Sequence, residues 1–185
     1  KIYLAKCLET NNWDDIKRDI NNRPIEGVSD TNSKIDILSI LEKHGVKKSN
    51  DDKTSTVQVE ILGSGKPMRE FLWSEEMADA CVYIMENVDF KDLINYKANI
   101  KQPNEIRNTH INIGTGKEIS ISDLAKLIKN VVGYKGAFVF NNTKPDGTIK
   151  KLTDVTKLHQ LGWKHSIEIE SGVQKIYEWY ISSLD

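Results

Sequence analysis

Apolar residues recur along this chain mainly at the three-to-four spacing of a helix, broken by short alternating runs. Ile2-Tyr3-Leu4-Ala5-Lys6-Cys7-Leu8 opens in a helical pattern. Trp13, Ile16 and Ile20 suit a short amphipathic turn or two, which Asn21-Asn22-Arg23-Pro24 breaks. Ile35, Ile37, Leu38, Ile40 and Leu41 follow Ser33 and predict a second helix, with Gly45, just past His44, placed to end it. The lysine- and aspartate-rich run from Lys47 to Thr54 reads as a solvated loop.

Val57-Gln58-Val59-Glu60-Ile61 alternates and is β-branched, so it predicts a strand leading into a glycine turn. Ser74 is placed to cap the next helix, with Glu75 and Glu76 in its first turn where the helix dipole favours them. Met77, Ala80, Cys81, Ile84, Met85 and Val88 then fall on one expected core face. The polar stretch from Asp89 to Asn108 reads as a connection, and His110-Ile111-Asn112-Ile113 as a short strand. Ser120 with Asp123 resembles a capping box, and Leu124, Leu127, Ile128, Val131 and Val132 form the buried face of a helix that Gly133 stops. Phe138-Val139-Phe140 predicts a strand. Thr153-Asp154 starts a short helix through Leu161, stopped by Gly162 with Trp163 packing beyond. From about Ser171 a final helix buries Val173, Ile176, Tyr177, Tyr180 and Ile181. Short strands between longer helices make the fold class α/β, with a small mixed or parallel sheet under helical cover.

At 185 residues, 38% hydrophobic and 29% charged, the chain has the make-up of one soluble domain or a part of a larger protein. Its formal net charge of -1 provides no overall field for nucleic acid or an anionic membrane, so any anion site needs a few converging side chains. Cys7 and Cys81 lack metal-ligand spacing and read as reduced, buried thiols. No stretch approaches the roughly 20 apolar residues of a membrane span, and no leader pattern opens the chain, so the expected location is the cytoplasm. A first residue Lys1, in mid-helix pattern, reads as the start of a piece of a longer protein.

Candidate chemistry lies in two clusters. Gly63-Ser64-Gly65-Lys66-Pro67-Met68-Arg69-Glu70-Phe71 sets an arginine just past a proline-stiffened turn, suited either to gripping an anion or to a plain surface ion pair. Lys144-Pro145-Asp146-Gly147-Thr148-Ile149-Lys150-Lys151 again joins turn residues to basic side chains, and the two clusters suit phosphate groups held between them. Gly114-Thr115-Gly116 invites a phosphate-loop reading but lacks a third glycine and the Lys-Ser/Thr pair, which favours a structural turn. His44, His110, His159 and His165 have no catalytic partner beside them in sequence and read as structural or surface residues, and Asp79 and Asp154 as solvated or capping carboxylates.

Gly65-Lys66-Pro67-Met68-Arg69-Glu70-Phe71-Leu72, Met77-Ala78-Asp79-Ala80, His110 to Gly116, Lys144-Pro145-Asp146-Gly147-Thr148 and Leu158-His159-Gln160-Leu161-Gly162-Trp163 are together similar to the GDP-L-fucose synthase family, in the same order. The resemblance covers residues 55–185 almost throughout. It implies an extended short-chain dehydrogenase/reductase of which residues 1–185 are the C-terminal substrate-binding domain, with an insertion at about 11–53 and the N-terminal Rossmann domain absent. It further implies 3,5-epimerisation of GDP-4-keto-6-deoxy-D-mannose and NADPH-dependent 4-reduction to GDP-L-fucose by a homodimer, with NADP on the missing domain.

None of Tyr3, Tyr83, Tyr96, Tyr134, Tyr177 or Tyr180 is followed four residues later by lysine, and no GxxGxxG follows a strand. The family's catalytic tyrosine, lysine, cysteine and histidine are therefore expected upstream of Lys1, with no catalytic residue and no activity in this chain alone. The resemblance places Arg69 on a substrate-binding arginine, Asp146 near the guanosine, and Lys151 and Lys1 on basic contacts. Leu62 stands where family members carry a substrate-contacting tryptophan, and leucine can neither stack nor donate a hydrogen bond. The segment from Asn11 to Asp51, longer than in many relatives, is expected to be a solvated helical insertion, or else a lid or oligomer surface. The other readings are a related nucleotide-sugar epimerase or dehydratase, and a non-catalytic nucleotide-sugar or protein-interaction module.

Overall fold

The computed structural model describes residues 1–49, 56–95 and 108–184. These fall into two compact units, the first comprising Lys1–Pro67, Ser120–Ile149 and Val173–Asp185, the second Met68–Ile119 and Lys150–Gly172.

In the first unit, α1 (Ile2–Glu9), α2 (Trp13–Asn22) and α3 (Lys34–Lys43) precede β1 (Val46–Ser49) and β2 (Thr56–Leu62). The same unit contains α6 (Ile121–Val132) and β5 (Ala137–Asn141). The sheet has the order β1-β2-β5. β1 runs antiparallel to β2 with Val46 opposite Val59, and β5 runs parallel to β2 with Leu62 opposite Asn141, so the sheet is mixed. Part of the stretch read as a loop from Lys47 is thus strand, because Val46 and the aliphatic part of its neighbours complete the β2 edge; residues 50–54 of that reading lie outside the described residues.

Ser33 accepts the Asp36 N–H while Asp36 accepts the Ser33 N–H, a reciprocal box that starts α3. Gly45, at φ 82, turns the chain out of it into β1. The segment expected as a solvated insertion supplies much of the core: Ile16, Ile20 and Ile37 are fully buried and Leu41 and Val46 nearly so, packed with Leu4, Ala5, Cys7, Leu8, Val57, Val59 and Tyr134. The sequence pattern showed the helices, but their contribution to the core depends on how they pack on α1, the sheet and the more distant Tyr134.

In the second unit, α4 (Ser74–Asn87), which α5 (Phe90–Asn95) follows, and α7 (Thr156–Gln160) contribute to a small core of Ala80, Leu158 and Trp163, with Leu72, Tyr83, Ile84, Ile111 and Ile113 around it. A two-residue strand β3 (Met68–Arg69) pairs with β4 (Ile119–Ser120). Several expectations change here. Trp73, not Ser74, is the α4 N-cap and provides no side-chain capping bond. The face that α4 buries is Glu76, Ala80, Tyr83 and Ile84, because the Glu76 carboxylate takes the Ser166 hydroxyl at 2.8 Å and the Ile167 N–H at 2.9 Å. That rotates Met77, Cys81 and Met85 outward, so Cys81 is an exposed thiol while Cys7 is buried.

The connection after Asp89 begins with α5, and residues 96–107 of it lie outside the described residues. His110–Ile113 forms no ladder among the described residues. Its backbone is held by side chains instead, with Lys157 Nζ donating to the carbonyls of Asn108 at 2.9 Å and His110 at 3.1 Å. α7 starts three residues later than Thr153, since that residue's N–H is drawn to Glu70 and Asp154 takes the Thr156 N–H at 3.0 Å. Gly162, at φ 105, ends α7, and the buried Trp163 donates from Nε1 to Asp79 at 2.7 Å. Asp79 is thus a tether for that ring.

The closing helix α8 (Ile169–Ser182) begins in the second unit and ends in the first. Val173 is buried and Tyr177, Tyr180 and Ile181 half-buried along one stripe, whereas Ile176, expected inside, lies off that stripe and is 53% exposed. No helix among the described residues is long and apolar enough to cross a membrane.

Candidate functional site

In the first unit, β2 ends at Leu62 and the chain turns through Gly63 and Gly65, both at positive φ. A Cβ on Gly63 would lie 2.4 Å from Asp146 Oδ1, and one on Gly65 2.3 Å from Phe140 Cε1, so both positions require glycine for space as well as conformation. The Asp146 carboxylate accepts the Ser64 N–H at 2.7 Å and the Ser64 hydroxyl at 2.6 Å. These two bonds hold its pKa below the usual aspartate value. Asp146 and Leu62 are thereby brought to the same turn, with Gly63 N–H also bonded to the Asn141 carbonyl at 3.0 Å. Leu62 is 62% exposed and supplies only apolar surface.

The same turn closes the start of α6. Ile121 N–H bonds the Pro67 carbonyl at 3.0 Å, Ser122 N–H the Gly65 carbonyl at 2.9 Å, and Asp123 N–H the Ser120 hydroxyl at 3.0 Å. The amides that an anion would seek at a helix N-terminus are therefore already occupied, which leaves anion binding to cationic side chains. Lys1 stands exposed at the head of α1, with its carbonyl accepting from Ala5 N–H.

In the second unit, Arg69 is half-buried and its Nη1 donates to the Met68 carbonyl at 2.6 Å. It lines a small cleft with Phe71, Thr115, Lys117, Glu118 and Glu168. At about 50 Å³ this cleft holds about one or two waters, so by itself it admits a group of a ligand and not a nucleotide. Its two acids are both met by lysines, Glu118 by Lys150 at 2.8 Å and Glu168 by Lys117.

Glu70, beside Arg69, is the residue that sequence reading missed. Its Oε1 accepts the N–H groups of Thr115 at 2.5 Å and Gly116 at 2.6 Å and the Thr115 hydroxyl at 3.2 Å, and its Oε2 accepts the Thr153 N–H at 3.0 Å. Burial pushes this carboxyl's pKa up, but the hydrogen bonds from Thr153, Gly116 and Thr115 outweigh it and hold the pKa below the usual glutamate value. Gly114-Thr115-Gly116 is thus a structural turn whose amides face a carboxylate of the chain itself. Through Glu70 the Arg69 segment and the segment carrying the exposed Lys151, two residues before Thr153, are tied within one unit. No local pattern announces this, because the partners lie 45 and 83 residues away. No group of His, Cys, Asp and Glu among the described residues is arranged to hold a metal ion.

Mixed α/β architecture with these motifs defines a class, and the profile of the NAD dependent epimerase/dehydratase family matches residues 31–114. The chain belongs to that family, as a GDP-L-fucose-synthase-like member. It is 46% identical over 127 residues to the GDP-L-fucose synthase of Escherichia coli (strain K12), a match covering 69% of this chain and 37% of that protein. Among solved structures it is similar to a GDP-6-OMe-4-keto-L-xylo-heptose reductase from C. jejuni, with TM-score 0.80 and 39% identity over 99% of this chain and 46% of that one. A GDP-L-fucose synthetase from Naegleria fowleri bound to NADP gives TM-score 0.53 and 25% identity over 68% of this chain and 35% of that one. The chain spans less than half the length of each of these relatives.

Proposed function

We propose that residues 1–185 are the GDP-sugar-binding part of an NADPH-dependent synthase that epimerises GDP-4-keto-6-deoxy-D-mannose at C3 and C5 and reduces C4, giving GDP-L-fucose. The observation that carries this reading is the 46% identity over 127 residues to a GDP-L-fucose synthase. Arg69 provides a planar guanidinium fork for the pyrophosphate and Lys151 a second cation. Asp146, whose two oxygens each keep a further lone pair beyond their Ser64 bonds, accepts from the guanosine. Leu62 covers it with apolar surface, and Lys1 adds a peripheral charge. NADPH supplies the hydride from the Rossmann domain, which also carries the acid/base groups. The working enzyme is a cytoplasmic homodimer.

One observation favours a second substrate within the same chemistry. A match over 99% of the chain necessarily takes in nearly all of residues 11–53, and it is made with a GDP-keto-heptose reductase, whereas the fucose synthetase match covers 68%. A GDP-4-keto-heptose is therefore the alternative substrate.

The test is to incubate the full-length parent with NADPH and each GDP-4-keto sugar, following NADPH oxidation and identifying the product by NMR. Turnover of the 6-deoxy-mannose derivative to GDP-L-fucose is expected, with none from the 185-residue chain alone. Turnover of the heptose derivative only would transfer the assignment to that sugar, and turnover of neither would overturn the reading.

A further inference from the structure

Resting on the reading that Arg69 and Lys151 grip the pyrophosphate, we propose that Glu70 is the positioning residue that fixes these two cations as one phosphate-facing unit. Arg69 sits on a strand only two residues long, which by its own ladder fixes little. What pins its backbone is the next residue, whose carboxylate takes three N–H groups and a hydroxyl from two other segments. One of those segments reaches Thr153 directly after Lys151 and Leu152, both exposed, so the anchor lies inside the turn while the lysine stays at the surface.

The space confirms a built arrangement. A Cβ on Gly114 would come within 2.5 Å of Glu70 Oε1, so the carboxylate occupies the room a side chain would need. Its charge is met by backbone dipoles of the Thr115-Gly116 turn and of Thr153, an arrangement that a neutral amide reproduces poorly, since glutamine would turn an NH2 toward one of the same donors. A hydrophobic residue there would leave those N–H groups unpaired.

The experiment is calorimetric titration of GDP and, separately, of NADPH into the full-length parent and its Glu70→Gln, Arg69→Ala and doubly substituted variants. Glu70→Gln is expected to weaken GDP about tenfold while leaving NADPH within about twofold, and to add a smaller factor, about threefold, once Arg69 is alanine and only Lys151 is left for it to position. Where Glu70→Gln does not fold, Gly114→Ala, which displaces the same carboxylate, carries the same expectation. Equal weakening of GDP and NADPH, or undiminished effect in the Arg69→Ala background, assigns Glu70 a merely structural role and overturns the inference. Unchanged GDP affinity in Arg69→Ala itself would instead remove the pyrophosphate-grip reading, and the inference with it.

Discussion

Asp146 binds Ser64 twice across 82 residues of sequence, taking its N–H at 2.7 Å and its hydroxyl at 2.6 Å. The pair joins the β2 turn to the lysine-rich segment, the two clusters whose chemistry the sequence singled out.

Asp146→Asn should lower the melting temperature of the chain at neutral pH, because the amide presents an NH2 to one of two donors. The pH dependence follows from the sign of the shift. Asp146 titrates below the usual 3.8 when folded, so its stabilisation is present above 3.8 and is lost as pH falls through the folded value. The difference in melting temperature between the two proteins should therefore narrow as pH falls below 3.8; a constant gap would count against the bond.

Arg69→Ala in the full-length parent should weaken GDP binding by about 2 kcal/mol or more, the size of a charge-assisted contact. Arg69→Lys keeps the charge and loses the fork, so it should recover only part of this. Calorimetry with GDP measures both, and an unchanged affinity for the alanine variant removes Arg69 from the site.

Two isoleucines on α3 test whether the 11–53 segment is core. Ile37 is fully buried and Ile35 is 79% exposed. Ile37→Ala should cost about 3 kcal/mol in urea unfolding, the usual range for a buried aliphatic truncation, and Ile35→Ala should lie within about 0.5 kcal/mol of the parent chain. Similar small losses for both would return the segment to the surface.

Tyr134 is 1% exposed, and its hydroxyl donates to the Val57 carbonyl at 2.6 Å. Tyr134→Phe should cost about 1–2 kcal/mol, the penalty of leaving that acceptor unpaired. Burial pushes this phenol from 10.0 to about 12, so its stabilisation is complete below pH 10.0 and disappears as pH rises through about 12. Burial raises Tyr3 and Tyr180 as well, so ultraviolet titration should show three tyrosines fewer ionising near pH 10.0 in the folded wild type than in the denatured chain, and two fewer in the phenylalanine variant; the same deficit in both proteins would refute the shift of Tyr134.

The legible features were those carried by a few neighbouring residues. Ser33 and Asp36 announce a helix start because their side chains reach each other's amides within one turn, and Gly133, at φ 78, announces a stop because only glycine takes that backbone cheaply. The strands around Val59 and Phe138 were legible for the same reason. Their pairing in parallel was not, since its register depends on partners scores of residues apart, and the antiparallel β1 was hidden because its lysines read as loop.

Arg69, Lys151 and Asp146 stood out in sequence because turn residues frame them, and the order of those motifs resembles that of GDP-L-fucose synthases. The sequence by itself determined most of the helices, the family and the cations available to a phosphate. Tertiary structure decided which carboxylates hold the turns in place, Asp146 on Ser64 and Glu70 on Thr115, Gly116 and Thr153, and that the α2–α3 segment is core. Hydrogen bonds and burial between distant segments depend on where the backbone brings them, and no local spacing encodes that meeting.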